Sequence, residues 1–195
     1  MIFKFKEGQT PIDAAEAEAL IPALSTQEEL DLWEEKNVLL GRKWVLSKRV
    51  LNRFDPLSEK DILVLHKRMF GDTWKWAGTI RMRDKSIGVP FYNVRPELRH
   101  LLDDARYWQQ EKTYDVTEIA VRVHHRLVKI HLFPNGNGRH ARLIADIIAK
   151  QGSVSEFTWG GGNLIEGNQL RAAYIAALKR ADEGDYADLI CFSSA

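Results

Sequence analysis

His131-Leu132-Phe133-Pro134-Asn135-Gly136-Asn137-Gly138-Arg139-His140-Ala141-Arg142 is the stretch on which the reading of this chain turns. Two periodic apolar segments flank it. Before it, Val116, Ile119, Ala120, Val123, Leu127 and Ile130 recur at three- and four-residue spacing, which marks an amphipathic helix. After it, Leu143, Ile144, Ile147 and Ile148 do the same. The stretch therefore reads as a short loop feeding a helix N-terminus. Gly136 and Gly138 flank Asn137, and glycine permits positive φ and close approach of backbone to a ligand. Such a loop can turn its N–H groups inward as an anion nest. The helix behind it adds the positive end of its dipole. Arg139 and Arg142 fall near one face of the first turn, where guanidinium forks can grip phosphate oxygens. His131 stands at the other lip of the loop, and an imidazole of ordinary pKa ~6.5 suits a general base near neutral pH. A base, an anion nest and paired arginines together describe a phosphate-transfer site.

The surrounding sequence predicts more helices. Thr26 is a candidate N-cap for a helix to about Trp44, with Leu30, Trp33, Asn37, Leu40 and Trp44 on one face. Ser58 opens a second helix, with Asp61 three residues on and Ile62, Leu65 and Met69 following. Pro96 fits the first turn of a third, carrying Leu98, Leu101, Leu102, Ala105 and Trp108. Asp115 with Glu118 resembles a capping box for the helix that leads into the loop. After the loop, helices are expected at about 138–150 and 168–181. Between Gly71 and Pro96 the pattern breaks into irregular chain, with a short β-hairpin expected around Thr79–Val89. The opening 24 residues are mixed and acidic, an arm or a short helix. The fold class is mostly α with one short hairpin.

Composition bounds the rest. The chain has 195 residues, enough for one sizeable core. Its 28 basic and 27 acidic side chains leave a net charge of +1, so no global field points to nucleic acid or an anionic membrane. The single cysteine, Cys191, cannot form an internal disulfide. No apolar run of about 18 residues exists to span a membrane, and the N-terminal residues lack a signal-peptide pattern. The expectation is a soluble, cytoplasmic protein.

The motif resembles the signature loop of Fic-domain proteins, His-Pro-Phe-x-Asp/Glu-Gly-Asn-Gly-Arg-x-x-Arg. The resemblance extends over roughly Leu57–Phe192, through Gly71-Asp-Thr-Trp-Lys-Trp-Ala-Gly78, Thr79-Ile-Arg81, Arg171-Ala-Ala-Tyr174 and Ala181-Asp-Glu-Gly-Asp185. Thr10-Pro-Ile-Asp and Phe157-Thr-Trp-Gly160 are similar to the Fic subgroup called mobile mystery protein B, which is associated with mobile bacterial elements. The implied organisation is a Fic domain at 57–195 behind an N-terminal helical extension at 1–56. The implied fold is the Fic-type helical bundle with a hairpin flap.

The resemblance implies transfer of AMP from ATP to a Ser, Thr or Tyr hydroxyl of a target protein, with Mg²⁺. His131 matches the general base and Phe133 a core anchor. Gly136, Asn137 and Gly138 match the anion hole, while Arg139 and Arg142 match the grips on the outer phosphates. Lys85, Ser86, Ile87 and Gly88 match the flap that aligns the target by strand addition. Tyr174 and Asp182 fall where the family contacts adenine, although Tyr174 also fits a core stripe. Two positions depart from the pattern. Leu132 replaces a proline, and Asn135 replaces the acidic residue that holds Mg²⁺. An amide oxygen can still ligate magnesium, though without charge.

Fic enzymes are often restrained by a helix whose glutamate pairs with the second motif arginine, here Arg142. No clean match to that helix exists. Glu34 and Glu35 have a plausible location with the wrong spacing, and Ile165-Glu166-Gly167-Asn168 has Glu-Gly without the preceding hydroxyl residue. A separate antitoxin chain supplying the helix is the alternative. Zinc at His124, His125, His131 and His140 lacks a carboxylate or cysteine at ligand spacing. A basic run of Arg95, Arg99 and Arg106 has too little aromatic interleaving for nucleic acid. Transfer of another phosphate-containing group, or a degenerate binding module, stays open.

Overall fold

The structure is a computed structural model that describes residues 12–161 and 169–195. Thr10 and Pro11, the Ile165–Asn168 stretch and the expected start of the last helix at 168 lie outside the described residues. The helices are α1 (Ala14–Ala17), α2 (Gln27–Val45), α3 (Lys48–Leu51), α4 (Glu59–Phe70), α5 (Val94–Gln110), α6 (Val116–Ile130), α7 (Asn137–Gln151), α8 (Gln169–Asp182) and α9 (Ala187–Ser194). Short 3₁₀ turns at Phe91–Asn93 and Trp159–Gly161 complete the described elements. The mostly-α expectation holds.

The caps read from sequence are in place. Thr26 and Glu29 close a reciprocal capping box on α2, with Oγ1 accepting from the Glu29 N–H at 3.2 Å and the Glu29 carboxylate from the Thr26 N–H at 3.1 Å. Ser58 accepts from the Asp61 N–H at the start of α4. The Asp61 carboxylate turns instead to the Asp55 N–H. Asp115 caps α6 through the Glu118 N–H at 2.8 Å, and Glu118 pairs one turn on with Arg122. Asp13 and Glu16 form a second reciprocal box on the one-turn α1.

Helices α6 and α7 pack together on either side of the 131–136 loop, with α5 and α9 against α6 and α4 against α7. Helix α2 packs on α4. The core between them is filled by Phe70, Trp74, Phe133, Ile62, Leu65, Met69, Leu98, Leu101, Ile144 and Ile147, all essentially inaccessible. Burying each such side chain stabilises the fold by about 1.5–3 kcal/mol, which leaves the motif loop mounted on rigid helices.

The hairpin expected at 79–89 is corrected by the structure. No strand forms there, and the described residues contain one isolated antiparallel bridge, Leu20 with Trp74. It is extended by Ile21 N–H to Thr73 O and Lys75 N–H to Ala19 O, both 2.9 Å. The physical reason lies in where the backbone groups of the 79–90 loop find partners. Arg81 bonds to the carbonyls of Arg83 and Val89, and the Asp84 carboxylate accepts from the Phe91 N–H. Side chains therefore cinch a loop that a ladder would otherwise have closed.

Candidate active site

His131 follows the last residue of α6 in the left-handed conformation, φ 59° and ψ 67°. A side chain there costs roughly 1–2 kcal/mol, so neighbours must hold it. Its N–H donates to Leu127 O at 3.1 Å. Its carbonyl accepts from Arg81 Nε at 2.6 Å. The ring is buried, and burial first, then the nearby Arg81 and Lys85 cations, push its pKa down to about 4 against an opposing backbone hydrogen bond to Val128. The imidazole is therefore neutral at physiological pH, the state a base needs.

Beyond it the loop is braced from inside. Phe133 is completely buried and stacks on the His66 ring with centroids 3.6 Å apart. The Asn137 side chain turns back into the loop, its Oδ1 accepting from Phe133 N–H at 2.9 Å and its Nδ2 donating to Phe133 O at 2.8 Å. Asn137 thus shapes the loop, and the backbone amides are what the loop offers to an anion. Gly136, at φ +79°, precedes α7, and a Cβ there would lie 2.6 Å from the Phe70 ring. It makes no side-chain cap, so the first turn of α7 has no capping side chain, an arrangement suited to an anion. Gly138 is open, with only Arg142 Nη1 within 4 Å of a would-be Cβ, at 3.6 Å.

Arg139 and Arg142 are both partly exposed on the first turns of α7. Arg139 lies over the Phe70 ring at 4.8 Å and pairs with Glu34 at 2.7 Å. The second oxygen of Glu34 accepts from Trp74 Nε1 at 2.6 Å. Helix α2 thus places Glu34 on the first motif arginine. Glu35 faces away, exposed beside Leu32, Lys36, Leu39, Leu40 and Lys43. Arg142 lies 5.8 Å from the Tyr174 ring. The Tyr174 hydroxyl meets His124 Nε2 at 2.9 Å. Tyr174 is buried in the core and braces Arg142 from behind. Asp182 is engaged by Lys129 at 3.0 Å and His125 at 3.2 Å.

Asn135 Oδ1 accepts from the Gly136 N–H at 2.5 Å. It is an oxygen donor at the mouth of the loop, and magnesium takes amide oxygens as one ligand among phosphates and waters. No group of three His, Cys, Asp or Glu side chains able to hold a metal occurs among the described residues. The remaining histidines have other partners, His140 meeting Ile62 O at 3.0 Å and His125 meeting Tyr186 and Asp182. Of the flap residues, Lys85 is buried in an ion pair with Glu16 of α1, Ile87 is exposed, and Gly88 runs directly against His131.

Two residues of the site escaped the sequence reading. Arg81 is the first. His66 on α4 is the second: its Nδ1 accepts from Gly78 N–H at 3.0 Å, so Nε2 carries the proton and donates to Asn135 O at 3.1 Å. For His66 the signal was a polar residue at the end of an apolar run, and for Arg81 its place in the Thr79-Ile-Arg81 stretch that carries the resemblance.

A helical bundle that presents an uncapped helix N-terminus, two arginines and a buried neutral histidine defines an anion-handling domain. The family is explicit in the sequence comparison: the Fic/DOC family model matches residues 56–149. The chain is 35% identical over 136 residues to the protein adenylyltransferase fic-1 of Caenorhabditis elegans, covering 67% of this chain and 25% of that protein. It is 28% identical over 167 residues to the protein adenylyltransferase Fic of Drosophila mojavensis, covering 82% and 32%. The chain therefore spans a quarter to a third of the length of these curated relatives. The solved Fic-1 (aa134–508) from C. elegans superposes with a TM-score of 0.63 at 29% identity, over 92% of this chain and 52% of that one. The chain belongs to the Fic/DOC family through this domain. Among the described residues no helix is long and apolar enough to cross a membrane.

Proposed function

We propose that this chain is a protein adenylyltransferase that moves AMP from ATP onto a Ser, Thr or Tyr hydroxyl of a target protein. The observation that carries the reading is the juxtaposition at the 131–142 loop: a neutral buried imidazole on one lip and an uncapped helix N-terminus with two arginines on the other. The homologues named as adenylyltransferases support the same chemistry. The ring nitrogen of His131 takes the proton of the target hydroxyl. The oxygen attacks the α-phosphorus in line, a new P–O bond forms, and the bond to pyrophosphate breaks. The backbone amides of Asn137 and Gly138 receive the charge of the inner phosphates, joined by the Gly136 N–H once Asn135 Oδ1 releases it, and Arg139 and Arg142 hold the outer ones. Asn135 Oδ1 would contribute one ligand to a Mg²⁺ that arrives on the triphosphate, where the ion's chemistry is to neutralise phosphate charge. The 85–88 segment aligns the target.

In this reading Glu34 restrains the site. A nucleotide phosphate and the Glu34 carboxylate compete for the Arg139 guanidinium, and the segment 1–56 acts as a regulatory extension ahead of the 57–195 transferase domain. A restraint within the chain is favoured over a separate antitoxin chain, because the contact exists in this one. The setting is proposed as cytoplasmic and bacterial. The neutral Asn135 favours one second reading, transfer of another phosphate-containing group.

The test uses ATP labelled at either the α- or the γ-phosphate, with a bacterial lysate as target source and His131→Ala as control. Protein-bound α-label that His131→Ala abolishes is the expected result. Label from the γ-position alone points to phosphoryl transfer. Label from neither position overturns transfer from ATP and points to another donor nucleotide or a binding module.

A further inference from the structure

Arg81 carries more of the site than any sequence pattern suggests. It is 3% exposed, and its fork is aimed at backbone. Nε donates to His131 O at 2.6 Å and Nη2 to Ile130 O at 3.3 Å. Nη1 donates to Arg83 O at 2.8 Å, and Nη2 also reaches Val89 O. Its own N–H donates to Leu132 O at 3.0 Å. The nearest carboxylate, Asp84, is 4.0 Å away and largely exposed. A buried cation surrounded by carbonyls costs desolvation that a scaffold role could meet with a neutral donor. Only a rigid planar fork can join the end of α6 to both limbs of the 79–90 loop at once.

The loop closes on the base from the other side. Gly88 has φ +102°, and a Cβ there would sit 2.6 Å from His131 Cβ, 3.0 Å from Arg81 Nη2 and 3.2 Å from Ile130 O. Backbone of the target-docking loop therefore lies in contact with the base, and the contact leaves no room for a side chain.

We infer that Arg81 is a positioning residue for His131: it fixes the left-handed backbone of the base and joins it to the 79–90 loop, so that a target segment docked on the loop and the base that receives its proton are held in one frame. This rests on the transferase reading above and names the residue that couples target docking to proton transfer. The charged groups facing the His131 ring are Arg81 and Lys85, the latter paired with Glu16.

The experiment compares the full chain with Arg81→Lys, Arg81→Gln and Gly88→Ala. Transfer rate at saturating ATP, ATP affinity, unfolding midpoint and NMR titration of the His131 ring in the nucleotide-free protein are read for each. Arg81→Lys keeps the charge and loses the fork. It is expected to lower the rate about 10²-fold, the usual result of misplacing a catalytic group by an ångström, with ATP affinity and ring titration unchanged. Arg81→Gln loses both, so its ring midpoint moves up towards that of an ordinary histidine as the rate falls. Gly88→Ala shifts the ring resonances and lowers the rate with Arg81 intact. A folded Arg81→Lys or Gly88→Ala protein with wild-type rate overturns the inference. So does a loss of ATP affinity parallel to the loss of rate, which marks Arg81 as scaffold for the whole loop. If the wild type transfers nothing, the transferase reading has failed by itself. The ring signals then decide the coupling, because unchanged His131 resonances in Arg81→Gln and Gly88→Ala contradict it.

Discussion

Helix α2 reaches α7 through two ion pairs, and the two behave as different devices. At the loop end, Glu34 meets Arg139 at 2.7 Å; at the far end, Arg42 meets Asp146 at 3.1 Å. Both glutamate and aspartate also accept from a tryptophan indole, Trp74 for Glu34 and Trp159 for Asp146. The chemistry is alike, and the settings are not. Arg139 stands beside the uncapped first turn of α7, where an incoming phosphate can replace the carboxylate. Asp146 is tied into a cluster with Arg42, Glu156 and Lys150, with no anion site at hand. Burial raises the Asp146 carboxyl, opposed by Trp159 and Arg42. In the proposed function the first pair exchanges its partner for a phosphate and the second stays.

Breaking the cation side of the loop-end pair has the largest expected effect. Arg139→Ala removes a phosphate grip and is expected to lower transfer about 10²–10³-fold, the range for losing one preorganised electrostatic contact. Steady-state rates with labelled ATP check it. Breaking the anion side goes the other way. Glu34→Gln keeps an acceptor for Trp74 and frees Arg139, so ATP affinity is expected to rise about tenfold, the worth of ~1.4 kcal/mol, measurable by calorimetry. A Glu34→Gln protein with wild-type affinity would place that pair with the scaffold.

The far-end pair sharpens the contrast. Asp146→Ala leaves the Trp159 N–H without its acceptor and Arg42 with Glu156 alone, and is expected to cost about 2 kcal/mol, seen in denaturant unfolding, with ATP affinity unchanged. Stability also depends on pH, because several buried rings titrate together. His66, His124, His131 and His140 are all lowered by burial, the last two to about 4. Their unfolded values lie near 6.5, so the unfolded chain takes up protons first. Stability is therefore full above pH ~6.5 and falls as pH drops towards the folded values, by up to about 1.4 kcal/mol per unit for each ring. Asp146, raised in the folded state, pulls weakly the other way. Unfolding free energies flat between pH 7 and pH 5 would contradict this.

Much of the domain was legible because its information is local. Thr26, Ser58 and Asp115 announce helix starts a few residues ahead, and the apolar periods of α6 and α7 frame the loop. The loop's glycines and arginines are likewise neighbours in sequence. What was missed is long-range. Glu34 finds Arg139 across 105 residues, whereas the family pattern pointed to Arg142. His66 finds Asn135 across 69 residues, and Arg81 finds His131 across 50. No local period encodes such meetings. The hairpin failed for the same reason, since Gly88 and Pro90 read as turn signals while Arg81 had already engaged the backbone a ladder requires. Helices α3 and α9 are too short to show a period.

The most direct test is the intact mass of the protein after incubation with ATP and magnesium, for the wild type, Glu34→Gln and the Glu34→Gln/His131→Ala double variant. The account predicts an adduct of one AMP that accumulates faster in Glu34→Gln than in the wild type and is absent from the double variant. An adduct of phosphate mass, an adduct that survives loss of His131, or no gain from releasing Arg139 would contradict it.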